Sequence, residues 1–339
     1  MRGHPEKKPR ACPALGRAST GRFIGALMMA LFFILIFPGF LFLALFGLLA
    51  EFIDRKLYAR MQNRQGPPWF QPLADFIKLL GKEDIVPDEA NVRMFRLMPL
   101  FALTAVVSSI IYIPLWKTGA LYSFSGDLVV VLYLLTLPTL AFFIGGWYST
   151  SLYARIGSVR SLTQMFAYEV PLFMGLFSPA LLADSWTLSD ISRFYIDHPM
   201  YCFFNLIGFG VALVALLGKL EKAPFDIPEA ETEIVAGTFT EYSGRLYAFF
   251  RLAIDIEMVV GASLLAAVFL PFGLKEEAAI GFLIYLLKVI LVIFLLTLAR
   301  TIFARLRIDQ MVRFCWKYLV PLALVQLLIV LFLKGVLLQ

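Results

Sequence analysis

Cysteine and histidine are almost missing from this chain of 339 residues. The three cysteines (Cys12, Cys202, Cys315) lie far apart with no CxxC spacing, and the two histidines, His4 and His198, stand alone outside any long apolar run. No recognised ligand set for haem, an iron–sulfur cluster or zinc can be assembled from such residues. If electrons concern this protein, another subunit is expected to carry them. Charge is scarce too, at 16% of residues, against about a quarter in soluble domains. The net charge of +6 would suggest nucleic acid in a soluble protein; here its distribution reports topology, and no nucleic-acid partner is expected.

What the chain has in excess is apolar length. It is 60% hydrophobic, with 33 phenylalanines and a mean hydropathy of +0.81, far above soluble composition. A helix needs ~20 apolar residues to cross a ~30 Å hydrocarbon core. Eight such stretches are present: about 23–50, 95–116, 127–147, 164–184, 201–217, 247–272, 278–298 and 318–337. Runs of this length exclude a transmembrane barrel, whose strands are about 10 residues with dyad alternation. The expectation is an all-α polytopic membrane protein of eight transmembrane helices with amphipathic loops, forming one membrane domain over residues 23–339. Residues 1–22 carry six basic groups and read as a poorly ordered extension, or as a start placed upstream of Met28 or Met29. Lysines and arginines crowd the loops after spans 1, 3, 5 and 7, whereas the opposite loops hold only Lys117, Arg193 and Lys275. The positive-inside rule then places the four basic loops in the cytoplasm and both termini outside a multi-pass cell membrane.

Chemistry-bearing residues concentrate in a few places. The segment EKAPFDIPEAETEIVAGTFTEYSG, Glu221 to Gly244, holds Glu221, Asp226, Glu229, Glu231, Glu233 and Glu241 against one lysine. Acids packed against spans cost free energy to desolvate, which makes them functional candidates; the alternative is a solvated loop kept out of the bilayer by its charge. In the first basic loop, Arg55, Lys56, Arg60 and Arg64 recur at roughly helical spacing until Gly66-Pro67-Pro68 breaks the helix. Phe70, Leu73, Ile77 and Leu80 then outline a short amphipathic helix with Asp75 and Lys78 on its polar side. These bases serve equally well as anchors to lipid headgroups.

Within the spans, Glu169 precedes Pro171 near the start of span 4, where the proline removes a helix donor beside the acid. It is either a snorkelling surface group or a functional acid, and its short side chain favours the second. Span 6 carries Arg251, Asp255 and Glu257. Arg251 and Asp255 are i,i+4 and can neutralise one another, whereas Glu257 points about 200° away from Asp255 and needs another partner. Lys288, in mid-span 7, is a counter-ion for a carboxylate on a neighbouring span or a proton relay.

Several strings resemble one family, the H-type (subunit 1) membrane subunit of respiratory complex I and of the related energy-converting membrane-bound nickel–iron hydrogenases. The resemblance rests on Asp54-Arg55-Lys56, Ala59–Arg64, Gln71–Asp75, Lys78–Leu80 and Lys82–Pro87 in the first loop, and on Gln164, Met165 and Tyr168–Leu172 in span 4. It continues through the acidic loop to Thr240–Gly244, then Arg305, Arg307, Asp309, Gln310, Trp316, Lys317 and Pro321. It covers about 45–330. Two departures matter. GPPWFQP replaces a longer insert, which resembles the hydrogenase or sulfane-reductase type and counts against a quinone role. The family's LAEY glutamate is absent, leaving Asp255 or Glu257 to substitute.

The resemblance implies a membrane-anchoring, coupling subunit of a hydrogenase-like or sulfane-reducing complex, or alternatively the quinone-site subunit of a complex I-type dehydrogenase. It implies a hydrogenase-like large subunit and an iron–sulfur small subunit on the cytoplasmic side, with the nickel–iron centre and the clusters, and antiporter-like subunits alongside in the lipid. It assigns docking to the loop residues Asp54, Arg55, Lys56, Arg60, Arg64, Asp75 and Lys78. Coupling falls to Asp226, Glu229, Glu231, Glu233, Glu241, Glu169, Asp255, Glu257 and Lys288. An independent secondary transporter is a rival of another class, but the spans show no inverted repeat or matched pair of broken helices.

Overall fold

The computed structural model describes residues 28–337, so the basic extension 1–22 lies outside the described residues. Within them the chain is helical, with no strand. A lipid-embedded backbone must satisfy its N–H and C=O groups internally, and long apolar segments do so as helices. In order these are α1 (28–35), α2 (Phe40–Met61), α3 (Gln71–Leu80), α4 (Val92–Ser109), α5 (Asp127–Trp147), α6 (Leu152–Ala183), α7 (Leu188–Asp197), α8 (Tyr201–Phe204), α9 (Leu206–Lys219), α10 (Glu231–Ile234), α11 (Gly244–Phe269), α12 (Ala278–Ile302), α13 (Ile308–Phe314) and α14 (Val320–Leu337). Among the described residues, seven helical stretches are long and apolar enough to span a bilayer: Met28–Met61, Val92–Tyr112, α5, α6, α11, α12 and Ile308–Gly335.

The fifth expected span differs. Instead of one run over 201–217, it consists of α8 and the 14-residue α9, interrupted at Asn205. At 1.5 Å per residue α9 rises about 21 Å, short of the hydrocarbon thickness. It nevertheless connects the two ends of the bundle. Lys222, just after it, pairs with Glu51 of α2 at 2.9 Å, while Asp197, before it, pairs with Lys275 in the α11–α12 turn at 2.6 Å. The break is held by polar side chains. The Asn205 amide donates to Tyr195 Oη at 2.6 Å, and Asn205 Oδ1 accepts from Ser178 at 2.8 Å and Gln326 at 3.1 Å. Gln326 also donates to the Phe204 carbonyl at 2.7 Å, a group freed by the interruption.

α11 is the axis of the bundle: every residue of its apolar window is buried. It packs on α2, α4 and α12, and α3 lies across its loop end; α6 gathers α5, α9 and α14 into the other half. Two glycines set close approaches. A Cβ on Gly47 would meet the Asp255 backbone at 3.3 Å, and one on Gly175 would meet the Gly208 carbonyl at 3.1 Å. α2 therefore lies tight against α11, and α6 against α9. The loops after α2, α5, α9 and α12 all converge at one end of the molecule, joined by Lys222–Asp54, Arg160–Glu233, Arg245–Asp84 and Arg305–Asp226.

Candidate functional site

The converging loops bury charge. α2 begins as an apolar helix and runs on into EFIDRK, so its last turns carry Glu51 and Asp54 into the bundle. Asp54 is 2% exposed. It accepts from Lys222 at 2.7 Å, Arg300 at 2.9 Å and Thr297 Oγ1 at 2.7 Å. Glu51 accepts from Arg55 at 2.7 Å and Lys222 at 2.9 Å. Burial works against the Lys222 ammonium, but the Asp54 and Glu51 carboxylates outweigh it and hold its pKa above the ordinary lysine value.

This corrects the docking assignment of Asp54, which faces three donors in the interior rather than a partner. Arg55 is half-buried between Glu51 and Asp75, the latter at 3.4 Å. Asp75 also accepts from Gln71 at 2.9 Å, and Lys56 Nζ lies 3.4 Å from the Pro67 carbonyl. Arg60, Arg64 and Lys78 are exposed.

The acidic loop does not form one continuous series. Glu233 is exposed and pairs with Arg160 at 2.6 Å, a hydrogen bond and charge that lower its pKa. Asp226 pairs with Arg305 at 2.9 Å. Glu241 is half-buried, and Glu231 lies on α10 with its side chain outside the described residues. Glu229 lies 3.5 Å from Arg251. Arg251 thus reaches the loop, and it also lies within the field of Asp255 one turn on. Asp255 is buried on α11. Glu221 goes deepest: its Oε1 accepts from Ser161 at 2.6 Å. Burial pushes its carboxyl up to about 8, against the Ser161 bond and with help from the Glu229 and Glu257 charges.

Further into the membrane, Glu257 finds the partner that the helical wheel required. It is Lys219, 2.9 Å away, with both side chains 1% exposed. Lys219 also donates to the Leu135 carbonyl and lies 5.6 Å from the centre of the Tyr168 ring, whose hydroxyl meets Thr139 Oγ1 at 3.1 Å. In sequence Lys219 looks like one more loop base. The signal that could have found it is its place in the last turn of a helix that carries no other charge. Glu169, half-buried on α6, lies within the field of Lys219. Lys288 has another role than counter-ion to a carboxylate. It donates to the Leu270 and Phe272 carbonyls, both at 3.0 Å, and so satisfies the C-terminal end of α11.

Two cavities open among the charged groups of the loop end. One of about 400 Å³ is lined by Glu51, Glu221, Lys222, Arg251, Asp255 and Arg300 among others. The other, about 350 Å³, lies beneath α3 and shares Glu229, Arg251 and Asp255 with the first. Its lining mixes charged side chains (Arg55, Asp75, Lys78) with apolar ones (Leu48, Phe76, Leu79, Leu252). Buried carboxylates beside water-sized space and movable cations can exchange protons with small changes in net charge.

The NADH dehydrogenase family profile matches residues 29–331. The chain is 35% identical over 305 residues to NADH-quinone oxidoreductase subunit 8 of Thermus thermophilus, covering 85% of this chain and 84% of that protein. It is 37% identical over 316 residues to the H subunit of NADH-quinone oxidoreductase from Thermomicrobium roseum, covering 85% and 92%. Over 323 residues it is 35% identical to the corresponding protein of Bacillus thuringiensis, covering 92% and 94%. Among solved structures, a chain of the membrane-bound sulfane sulfur reductase, an archaeal respiratory membrane complex, superposes with a TM-score of 0.79 at 23% identity. That match spans 91% of this chain and 99% of that one, and at this identity it speaks for the fold.

Proposed function

This chain belongs to the NADH dehydrogenase family, and from that membership we propose that it is the membrane-anchoring, coupling subunit of a respiratory complex of the hydrogenase-like or sulfane-reducing type. Its loop end faces the cytoplasm and carries the redox module, and its spans pass the resulting change of charge to ion-translocating neighbours. The nickel–iron centre and iron–sulfur clusters sit on a large and a small partner subunit, and antiporter-like subunits lie beside it. The observation that carries this reading is the pair of buried charge clusters. Lys222 with Glu51 and Asp54 lies at the loop end, and Lys219 with Glu257 lies deeper. Charges are costly in a membrane interior and are kept where they move ions or protons. A redox event beside the loop end alters the field on the first cluster, and Asp255, which lines both cavities, and Glu221, which lines one, pass the change inward. Glu169, half-buried near Lys219, continues the series.

A second reading, the quinone-site subunit of a complex I-type dehydrogenase, is favoured by the cavity beneath α3. A lining of both apolar and charged side chains suits an amphiphile with a polar head. The two readings part on purification. With an affinity tag on this chain, the complex should co-purify with nickel and iron–sulfur clusters and reduce protons or sulfane sulfur with a low-potential donor. A complex without nickel that reduces quinone and neither of these acceptors overturns the first reading in favour of the second.

A further inference from the structure

The buried oxygens without a hydrogen-bond donor include Gln164 Oε1, Glu221 Oε2 and both carboxylate oxygens of Glu257, of which Oε1 is met only by the Lys219 ammonium in an ion pair. Gln164 uses its amide nitrogen on the Gly218 carbonyl at 2.7 Å and the Phe225 carbonyl at 2.8 Å, and so fixes the turn that carries Lys219 and Glu221. Glu221 lines the 400 Å³ cavity; Glu257, on α11, lines neither cavity and meets Lys219 at 2.9 Å. Both carboxylates lie in the field of the one ammonium. Two ionised acids and one cation would leave an uncompensated charge in the membrane, which costs several kcal/mol. One proton on either acid brings the group to neutrality and supplies a missing donor.

We infer that Lys219, Glu221 and Glu257 form an enclosed proton-exchange site in which the position of the Lys219 ammonium sets which of the two carboxylates holds one shared proton. At rest the ammonium sits on Glu257, and Glu221 is the carboxylic acid, in keeping with its elevated pKa of about 8. In the step, the proton leaves the Glu221 hydroxyl and reaches Glu257 Oε2. The ammonium turns from Glu257 to Glu221 while Leu135 continues to accept from it. Net charge is zero before and after. Glu229, which acts on Glu221 from the loop, Glu169 and Tyr168 on α6, and Lys222, Asp226, Arg251 and Asp255 around the cavity are further titratable or charged groups near the site. Lys219 is here a positioning residue: it moves no proton itself. This inference rests on the coupling reading, and its test needs no ion pumping.

The test is infrared spectroscopy of the assembled complex at neutral pH, reading the deuterium-sensitive C=O band of protonated carboxyls in wild type minus variant. Glu221→Gln should remove one such band. Glu257→Gln should remove the same band although Glu221 is intact, because the ammonium, left without its partner, moves to Glu221 and ionises it. Lys219→Met should add a band, from Glu257, and Lys219→Met/Glu257→Gln should restore a single one. Lys219→Arg should retain the wild-type pattern. If the Glu257→Gln complex keeps the Glu221 band, Glu221 is protonated by burial alone and the inference fails. Should the Lys219→Met variants not assemble, that single comparison still decides. A failure of the coupling reading looks different: the bands follow this pattern while the Glu257→Gln complex still pumps fully.

Discussion

Lys219 and Lys222 stand three positions apart and do different work. Lys222 ties α2 to the loop through Glu51 and Asp54. Lys222→Met should therefore destabilise the protein by on the order of 3 kcal/mol, the low end for breaking a buried pair, because Arg55 and Arg300 still hold the two acids. Detergent-driven unfolding of the purified complex measures it, and a change below about 0.5 kcal/mol would show the network to be solvated in practice. Glu221 predicts a pH dependence. Its folded pKa of about 8 lies above the ordinary glutamate value near 4.5. The stabilisation is thus fully present below pH 4.5 and is lost as pH rises through 8. Glu221→Gln should flatten the fall of melting temperature between about pH 5 and 8; an unchanged fall would assign it to other groups. The sequence disclosed that Glu257 needed a partner but not which one. A helical wheel gives direction within α11, whereas the approach of α9 is a property of the packed bundle. For the same reason the resemblance assigns Asp54 to docking, whereas packing draws it into the interior.

At the scale of elements, apolar length alone locates seven long spans, because a lipid-crossing helix must be both long and apolar. It does not disclose the break at Asn205. Asn205 sits in an apolar context, and its effect depends on Ser178, Tyr195 and Gln326, which reach it from α6, α7 and α14. Gln326→Leu should leave the Phe204 carbonyl without a side-chain donor and cost about 1–3 kcal/mol. The loss should appear as a lower melting temperature with wild-type dye-linked electron transfer, since this cluster lies at the opposite end of α9 from Lys219. Loss of electron transfer at full stability would contradict that assignment. The amphipathic α3 is legible from Leu73 and Ile77, which are exposed, while Phe76 packs inward against the core.

For the whole molecule, the asymmetry of basic residues and the joined loops describe the same end of the bundle, by independent routes. Single cysteines at the exposed positions Gln65 and Arg307, in a background free of native cysteines, should react only with reagent on the cytoplasmic side, and one at Met200 only from outside. Reaction of Gln65→Cys from outside would invert the orientation. Charge counting bears on orientation because topology depends on loop composition. The path of coupling depends on which buried groups meet, and that is only partly legible: Glu257, Asp255 and Glu221 converge on the interior, while Glu233 remains at the surface with Arg160. The central claim is that these interior carboxylates join redox chemistry to ion movement. Its most direct test is the number of ions moved per electron in sealed vesicles carrying the assembled complex, with Glu257→Gln and Glu169→Gln each compared with wild type. The account predicts that both variants assemble, pass electrons to a soluble dye within about twofold of wild type, and move fewer than a tenth of the ions per electron. A wild-type ion-to-electron ratio in both variants, with normal assembly, would contradict it.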